Sequence, residues 1–348
     1  MIILFLVLYG IMARTLKIRY EGVNEDYLSK ENTQIIKGVF IIIVFMSHIR
    51  GYIDCSTVAD QFVVNFLKYL GQLMVAMFLF CSGYGIYESI KRKGKTYIDQ
   101  FPKNRIWKTW IDFAMAILLF LVLNLLIQQK YSFVTILLSF VGWESVGNSA
   151  WYMFAIFTLY IITYISFKLF GNKNVLAIMS ISFCSLIYIY ALSRIKESWW
   201  CDTYLCFVFG MWYSYFSNNF NAILKKIKEQ HYYVLLIIVL LVYLFLAQYR
   251  YKRIMAFNIT AIAFCLLLVV LMMKVSFDSK ILSWFGENLF WVYILQRIPM
   301  IFFQWIGVRI GLSNVYKDIY IVVCLGFTIV LTIVMNRVSV FVKSRLCK

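Results

Sequence analysis

Proline and charge are scarce in this chain. Two prolines occur in 348 residues, and both sit away from span centres or near span ends. Only 14% of residues are charged and 63% are hydrophobic, whereas soluble domains carry about 25% charged and 45–50% apolar residues. A soluble globular domain is therefore excluded, and a polytopic membrane protein with lipid as its solvent is indicated. Eight cysteines are spread singly without a Cys-x-x-Cys pair. Neither a metal cluster nor a disulfide framework is indicated by such spacing, and no metal is expected. Histidine is rarer still, with His48 and His231 alone. No repeat, linker or soluble domain is visible. The opening "MIILFLVLYGIM" lacks the basic region and cleavage site of a signal peptide. It reads as a short span or as a helix lying at the interface.

What is present is a series of unbroken apolar runs of about 15–25 residues. These are helix-length segments rather than the ten-residue alternating strands of a barrel. An all-α membrane bundle with about ten spans is predicted, over 37–53, 66–88, 109–128, 151–170, 175–193, 203–216, 232–249, 255–274, 284–306 and 319–338. "SFVTILLSFVGW", between the third and fourth spans, is a candidate re-entrant segment. The chain reads as one domain over 1–348: an apolar segment and basic loop over 1–36, a ten-span core over 37–338 and a tail over 339–348.

Thirty-four Lys and Arg against 16 Asp and Glu give a formal net charge of +18. Nucleic acid is the usual partner of such a balance, but in a membrane protein the better explanation is orientation, because cations collect in cytoplasmic loops. With the loop before Lys37 placed inside and the spans alternating, roughly two-thirds of the cations fall inside. They include Lys91 to Lys95, Lys103, Arg105, Lys108, Lys225, Lys226 and Lys348. "RYKR", Arg250 to Arg253, is the exception and falls outside. Cys55 and Cys201 also fall outside, which leaves a pairing between them open, and Cys347 falls inside.

The stretch "KGVFIIIVFMSHI", Lys37 to Ile49, sets a histidine deep in an apolar run that opens on a cation. Eleven positions on a helix is three turns plus about 20°, so Lys37 and His48 share a face and stand about 16 Å apart along the axis. A titratable side chain at that depth is either a functional group or a buried histidine bonded to a neighbouring span. Ser82 in "CSGYG" does not form the Gly-x-Ser-x-Gly elbow, because Phe80 holds the first glycine position. Gly83 and Gly85 read as close-packing or helix-ending residues. Asp112 is placed to pair with Arg105 or Lys108, and His231 reads as a solvated interfacial residue.

A cation, ten residues and a histidine in the first long span resembles the opening motif of the integral-membrane acyltransferase-3 family, which includes bacterial polysaccharide O-acetyltransferases. Further matches follow in order: "LMVAMFLFCSGYGIY", "FPKNRIWK" with Lys108 in place of a second Arg, "NSAWYMFAIFTLYI", and "LSWFGENLFWVYILQRIPM". Gln296 stands where many members carry His, and Asn288 where Ser is common. The resemblance implies a multi-pass enzyme of the plasma (bacterial inner) membrane. Such an enzyme takes an acyl group, usually acetyl, from cytoplasmic acyl-CoA and delivers it to a hydroxyl of an extracytoplasmic glycan or lipid-linked saccharide.

On that reading acetyl-CoA is the donor, and Lys37, Arg105 and Lys108 hold its phosphates. His48 acts as general base or carries the acyl group. Glu287 either orients an imidazole or a cation or is merely interfacial. Trp151 and Tyr152 form either an aromatic belt or a sugar platform at the acceptor mouth. Membrane lipids, acyl-CoA and the saccharide are the expected partners, and nucleic acid is not. The rival readings are a transporter or flippase of lipid-linked sugars and a polysaccharide polymerase.

Overall fold

The computed structural model describes residues 1–224, 228–309 and 317–346. Lys225, Lys226, Cys347 and Lys348 lie outside the described residues. The chain is a helical bundle carrying one small strand pair. In order the elements are α1 (Ile2–Thr15), β1 (Leu16–Ile18), α2 (Lys30–Ile49), α3 (Val58–Leu70), α4 (Leu73–Lys93) and α5 (Lys95–Asp99). A π-helical turn over Pro102–Trp107 leads into α6 (Lys108–Leu126), then α7 (Phe133–Ser139), α8 (Ala150–Phe170), α9 (Asn174–Leu192) and α10 (Leu205–Leu224). The rest comprises α11 (Glu229–Ala247), α12 (Ile254–Met272), β2 (Val275–Phe277), α13 (Lys280–Glu287), α14 (Leu289–Leu295), α15 (Arg297–Arg309) and α16 (Lys317–Leu346).

Nine helices among the described residues are long and apolar enough to cross a membrane. The remaining predicted span, 203–216, corresponds to α10, a 20-residue helix that falls short only in apolarity. Its second half carries Ser214, Ser217, Asn218, Asn219 and Asn221. The polarity is met by α4: the Ser214 hydroxyl donates to Glu88 at 2.8 Å, and Lys91 Nζ donates to the Ser214 carbonyl at 2.9 Å. Glu88 and Lys91 are themselves paired. A helix can be polar inside a bundle when its neighbour supplies the partners.

Several predicted spans are bounded differently, α2 starting seven residues before Lys37 and α16 running on to Leu346. The run expected over 66–88 is two helices, because Gly71 takes φ +50°, a conformation that ends α3 before α4 begins. The third span starts earlier, at the π-helical turn. The ninth, expected over 284–306, is broken at Asn288 and Gln296 into α13, α14 and α15. The re-entrant candidate is mainly the seven-residue α7, with Phe133, Val134 and Leu137 exposed.

The α1 helix is 14 residues long, about 21 Å, which is short of a ~30 Å hydrocarbon layer. It nevertheless joins the two ends of the bundle. The Met1 amine pairs with Asp60 of α3 and Asp318 of α16, and the Thr15 carbonyl accepts from Asp278 N at 2.9 Å beside β2. There β1 and β2 pair antiparallel, Leu16 opposite Phe277 and Ile18 opposite Val275.

The helix that carries the opening motif is seated by backbone contact. Ser29 caps α2, its side chain accepting from Asn32 N. One turn after Lys30 the helix meets α13 without side chains between them. A Cβ on Gly38 would stand 1.9 Å from the Leu282 carbonyl oxygen, and one on Gly286 would stand 1.8 Å from that of Gln34. Only glycine fits either place. Gly83 plays the same part between α4 and α10, facing the Phe207 carbonyl oxygen, whereas Gly85 has open space.

Gly38→Ala and Gly286→Ala should each destabilise the protein by about 1–3 kcal/mol or more, because the obstacle is backbone and cannot rotate away. Gly10→Ala, with nothing within 4 Å, should unfold like wild type. Thermal unfolding in detergent checks this, and equal midpoints for all three variants would contradict it.

Candidate functional site

Two cavities open along the same face of α2. One, of about 370 Å³, lies at its Lys37 end and is walled by Lys37, Cys81, Ser82, Arg105, Asp112 and Tyr152, among others. The second, of about 390 Å³, lies at the His48 end, with His48, Arg50, Lys68, Trp151 and Tyr251 in its wall. Tyr293 of α14 lines both. Its ring centroid stands 5.3 Å from that of Tyr152 and 6.3 Å from that of His48. Tyr293 thus forms a partition between the two cavities, with Tyr152 beside it on the Lys37 side.

The face shared by Lys37 and His48 follows from helix periodicity. The partition follows from the break at Asn288. That break lets α14 place Tyr293 beside α2 after α13 has packed against its first turns. Asn288 is fixed in turn, its Nδ2 donating to the Trp284 carbonyl at 2.8 Å and its Oδ1 accepting from Asn336 of α16.

At the Lys37 end the cations differ in their freedom. Arg105 sits on the π-helical turn, where the Lys108 N–H reaches back five residues to the Lys103 carbonyl. This widened turn carries the guanidinium into the cavity wall, and Nε donates to the Tyr97 hydroxyl at 3.0 Å. Among the described residues neither Lys37 nor Arg105 has a carboxylate partner. Lys108 does not line the cavity, and its Nζ donates to Asn104 at 2.8 Å. Asp112 pairs with neither Arg105 nor Lys108. It is held by Lys343 and by the Ser339 hydroxyl at 2.6 Å, both from α16. The carboxylate in this cavity is therefore already neutralised.

At the other end His48 is half-buried, and its Nδ1 is shut from solvent with no partner among the protein's own groups. The charged groups acting on it are Arg297 and Arg50. Neither they nor Tyr293 stood out in the sequence. Arg50 and Arg297 fell inside the spans predicted over 37–53 and 284–306 without being singled out, and Tyr293 was one aromatic among 25 tyrosines.

The predicted pair Trp151 and Tyr152 is divided, Trp151 facing the His48 cavity and Tyr152 the Lys37 cavity. Glu287 is exposed and lines neither. It adjoins Gly286, which touches Gln34, fourteen positions and about 21 Å along α2 from His48. The structure does not bring it to the imidazole. Gln296 is buried, with Nε2 donating to the Tyr293 carbonyl at 2.9 Å. It supports the partition rather than supplying a second imidazole. His231, on the first turn of α11, is exposed and remote from both cavities. Cys55 and Cys201 are free thiols, and Cys201 is fully buried. No cluster of metal-ligating side chains occurs among the described residues.

The arrangement defines a class: a membrane-embedded bundle in which a polar chain of groups passes through the apolar core and meets at one histidine. Comparison of the sequence with family models is more specific. Residues 32–337 match the acyltransferase domain of acyltransferase family 3, and the chain belongs to that family. No curated protein and no solved structure matches it. The protein is thus a membrane acyltransferase.

Glu287→Gln should leave acyl transfer within about twofold of wild type, as an exposed substitution away from the site does. A loss of a hundredfold or more would return Glu287 to the catalytic group.

Proposed function

We propose that this acyltransferase takes an acetyl group from acetyl-CoA bound at the Lys37 end and delivers it to a hydroxyl of a glycan or lipid-linked saccharide at the His48 end. The observation that carries this reading is the pair of cavities meeting at Tyr293, unpaired cations in one and a histidine in the other. Phosphates of coenzyme A meet Lys37 and Arg105, and Lys108 stands nearby as a further cation. The pantetheine arm runs along α2 over the ~16 Å between Lys37 and His48 and brings the thioester carbonyl to the partition. The acceptor hydroxyl gives its proton to the imidazole while its oxygen attacks the carbonyl. The tetrahedral adduct then collapses, the C–S bond breaks and coenzyme A leaves as thiol after taking up the proton. In the other order the imidazole nitrogen attacks first, the C–S bond breaks and coenzyme A leaves as thiol with the imidazole's proton; the hydroxyl oxygen then takes the acetyl group from the acetyl-imidazole and its proton returns to the ring. Trp151 offers a sugar ring a stacking face in the His48 cavity.

The cation bias supports a Lys37 end in the cytoplasm and a His48 end outside, in a plasma (bacterial inner) membrane. Family membership speaks for a transferase and leaves the transporter, flippase and polymerase readings without an observation in their favour.

Vesicles reconstituted with purified protein, acetyl-CoA and a saccharide extract of the producing cells test this through the ester formed. His48→Ala should lower turnover by about 10²–10⁴-fold while acetyl-CoA still binds. Near-normal transfer by His48→Ala removes the imidazole from the mechanism. Arg105→Ala and Lys37→Ala should weaken acetyl-CoA binding by about 10–100-fold, as loss of a charge-assisted contact does. Lys37→Arg should retain binding. Unaltered binding by both alanine variants would make these cations orientation signals only. For orientation, Cys55 in a variant lacking the other cysteines should react with an impermeant maleimide on intact cells. Reaction only after permeabilisation would reverse the scheme.

A further inference from the structure

Among the described residues the cations around His48 have no carboxylate partner. Arg50 and Lys68 line its cavity, and Arg297 acts electrostatically on both His48 and Tyr293. Arg50 Nη1 and Arg297 Nε are shut from solvent without an acceptor. The acids near this end are engaged elsewhere, Asp60 with Lys317 and the Met1 amine, Asp54 with Ser56 and Glu144 with Lys196.

Arg250 adds a fourth charge. It is 4% exposed, stands 4.7 Å over the rings of both Tyr69 and Tyr251, and leaves Nε and Nη1 without partners. Tyr251 is part of the cavity wall. Orientation does not explain these charges, since the bias in Lys and Arg puts this end outside, where cations are scarce. Enclosed guanidinium groups with unmet N–H donors are costly unless an anion arrives to meet them.

We propose that the His48 cavity is a phosphate-binding site, in which Arg50, Lys68 and Arg297 hold a phosphate or pyrophosphate group next to the imidazole. Guanidinium groups match phosphate oxygens in paired N–H···O contacts. A cluster of this charge suits a doubly charged group better than a single carboxylate. Two molecules bring such a group to a membrane surface: a saccharide linked to lipid through phosphate, and a phospholipid headgroup. The first deepens the proposed function, on which it rests, by making the acceptor a phosphate-linked saccharide whose hydroxyl is set against His48. The site itself rests on the geometry alone.

Inorganic pyrophosphate is the probe, titrated into protein in neutral detergent at constant ionic strength, with Trp fluorescence as readout because Trp151 lines the cavity. The titration is run in the Lys37→Ala background, which removes the coenzyme A side. Binding should saturate there, and Arg50→Gln, Arg297→Gln and the exposed-site variant Lys68→Gln should each weaken it by about tenfold or more. Glucuronate at the same concentrations should not saturate. Equal binding by all three variants, failure to saturate in Lys37→Ala, or glucuronate binding as tightly overturns the phosphate site. In nanodiscs, displacement of pyrophosphate by phosphatidylglycerol but not phosphatidylcholine assigns the phosphate to a headgroup, and no displacement assigns it to the acceptor. Acetyl transfer and pyrophosphate binding measured side by side on protein with Lys37 intact separate the two proposals. Transfer without pyrophosphate binding removes the site alone, and binding without transfer removes the acyltransfer scheme alone.

Discussion

The contact on which the site depends is the one between two backbones. At Gly38 and Gly286 the first long helix and α13 approach until no Cβ fits between them. That seat fixes where α13 ends, and so where the chain turns at Asn288 to begin α14. Tyr293 is then close enough to meet His48 and Tyr152 together. A larger residue at either glycine would push α13 away and open the partition between the cavities. Protein interiors do not absorb such a shift by small adjustments, because they are close-packed. The glycine next to Lys37 is therefore as much part of the site as the lysine.

A second constraint is the solvent. Polar groups in a lipid-facing bundle must find partners within the protein or line a space that admits ligand. Most here do the first, as in Glu88 and Lys91 with Ser214, or Asp112 with Lys343 and Ser339. Others do not, and several of these wall the two cavities: Lys37 and Arg105 line one, His48 and Arg50 line the other, and Arg297 Nε is enclosed without an acceptor. A substrate of opposite charge can meet them there.

The sequence showed the class of fold and the axis of the site, because both rest on local periodicity. Apolar runs of span length report helices, and eleven positions report a shared face. It did not show what depends on contacts between distant segments. Gly286, Glu287 and Asn288 interrupt the apolar run, but at the edge of an expected span they looked like its boundary rather than a break between two packed helices. The span predicted over 203–216 stopped short of the polar end of α10, because the partners that let Ser214 and Ser217 sit in a bundle lie on α4. Trp151 and Tyr152 read as one platform, yet adjacent residues on a helix point about 100° apart, and the two serve different cavities. Glu287 looked useful because it stood at the start of an expected span, and the break displaced that start. Arg50 and Arg297 fell near the ends of predicted spans, where a cation draws no attention until the fold brings it beside His48.

The claim at the centre is that the acyl donor enters the cavity at the Lys37 end. Cys81 lies in that cavity and Cys55 does not. The direct measurement is the rate at which methyl methanethiosulfonate modifies each thiol, read by mass spectrometry of the purified protein with increasing acetyl-CoA. Saturable protection of Cys81, with Cys55 modified at an unchanged rate, is the expected result. Protection of Cys55 alone, or modification of Cys81 at the same rate at every acetyl-CoA concentration, would contradict it.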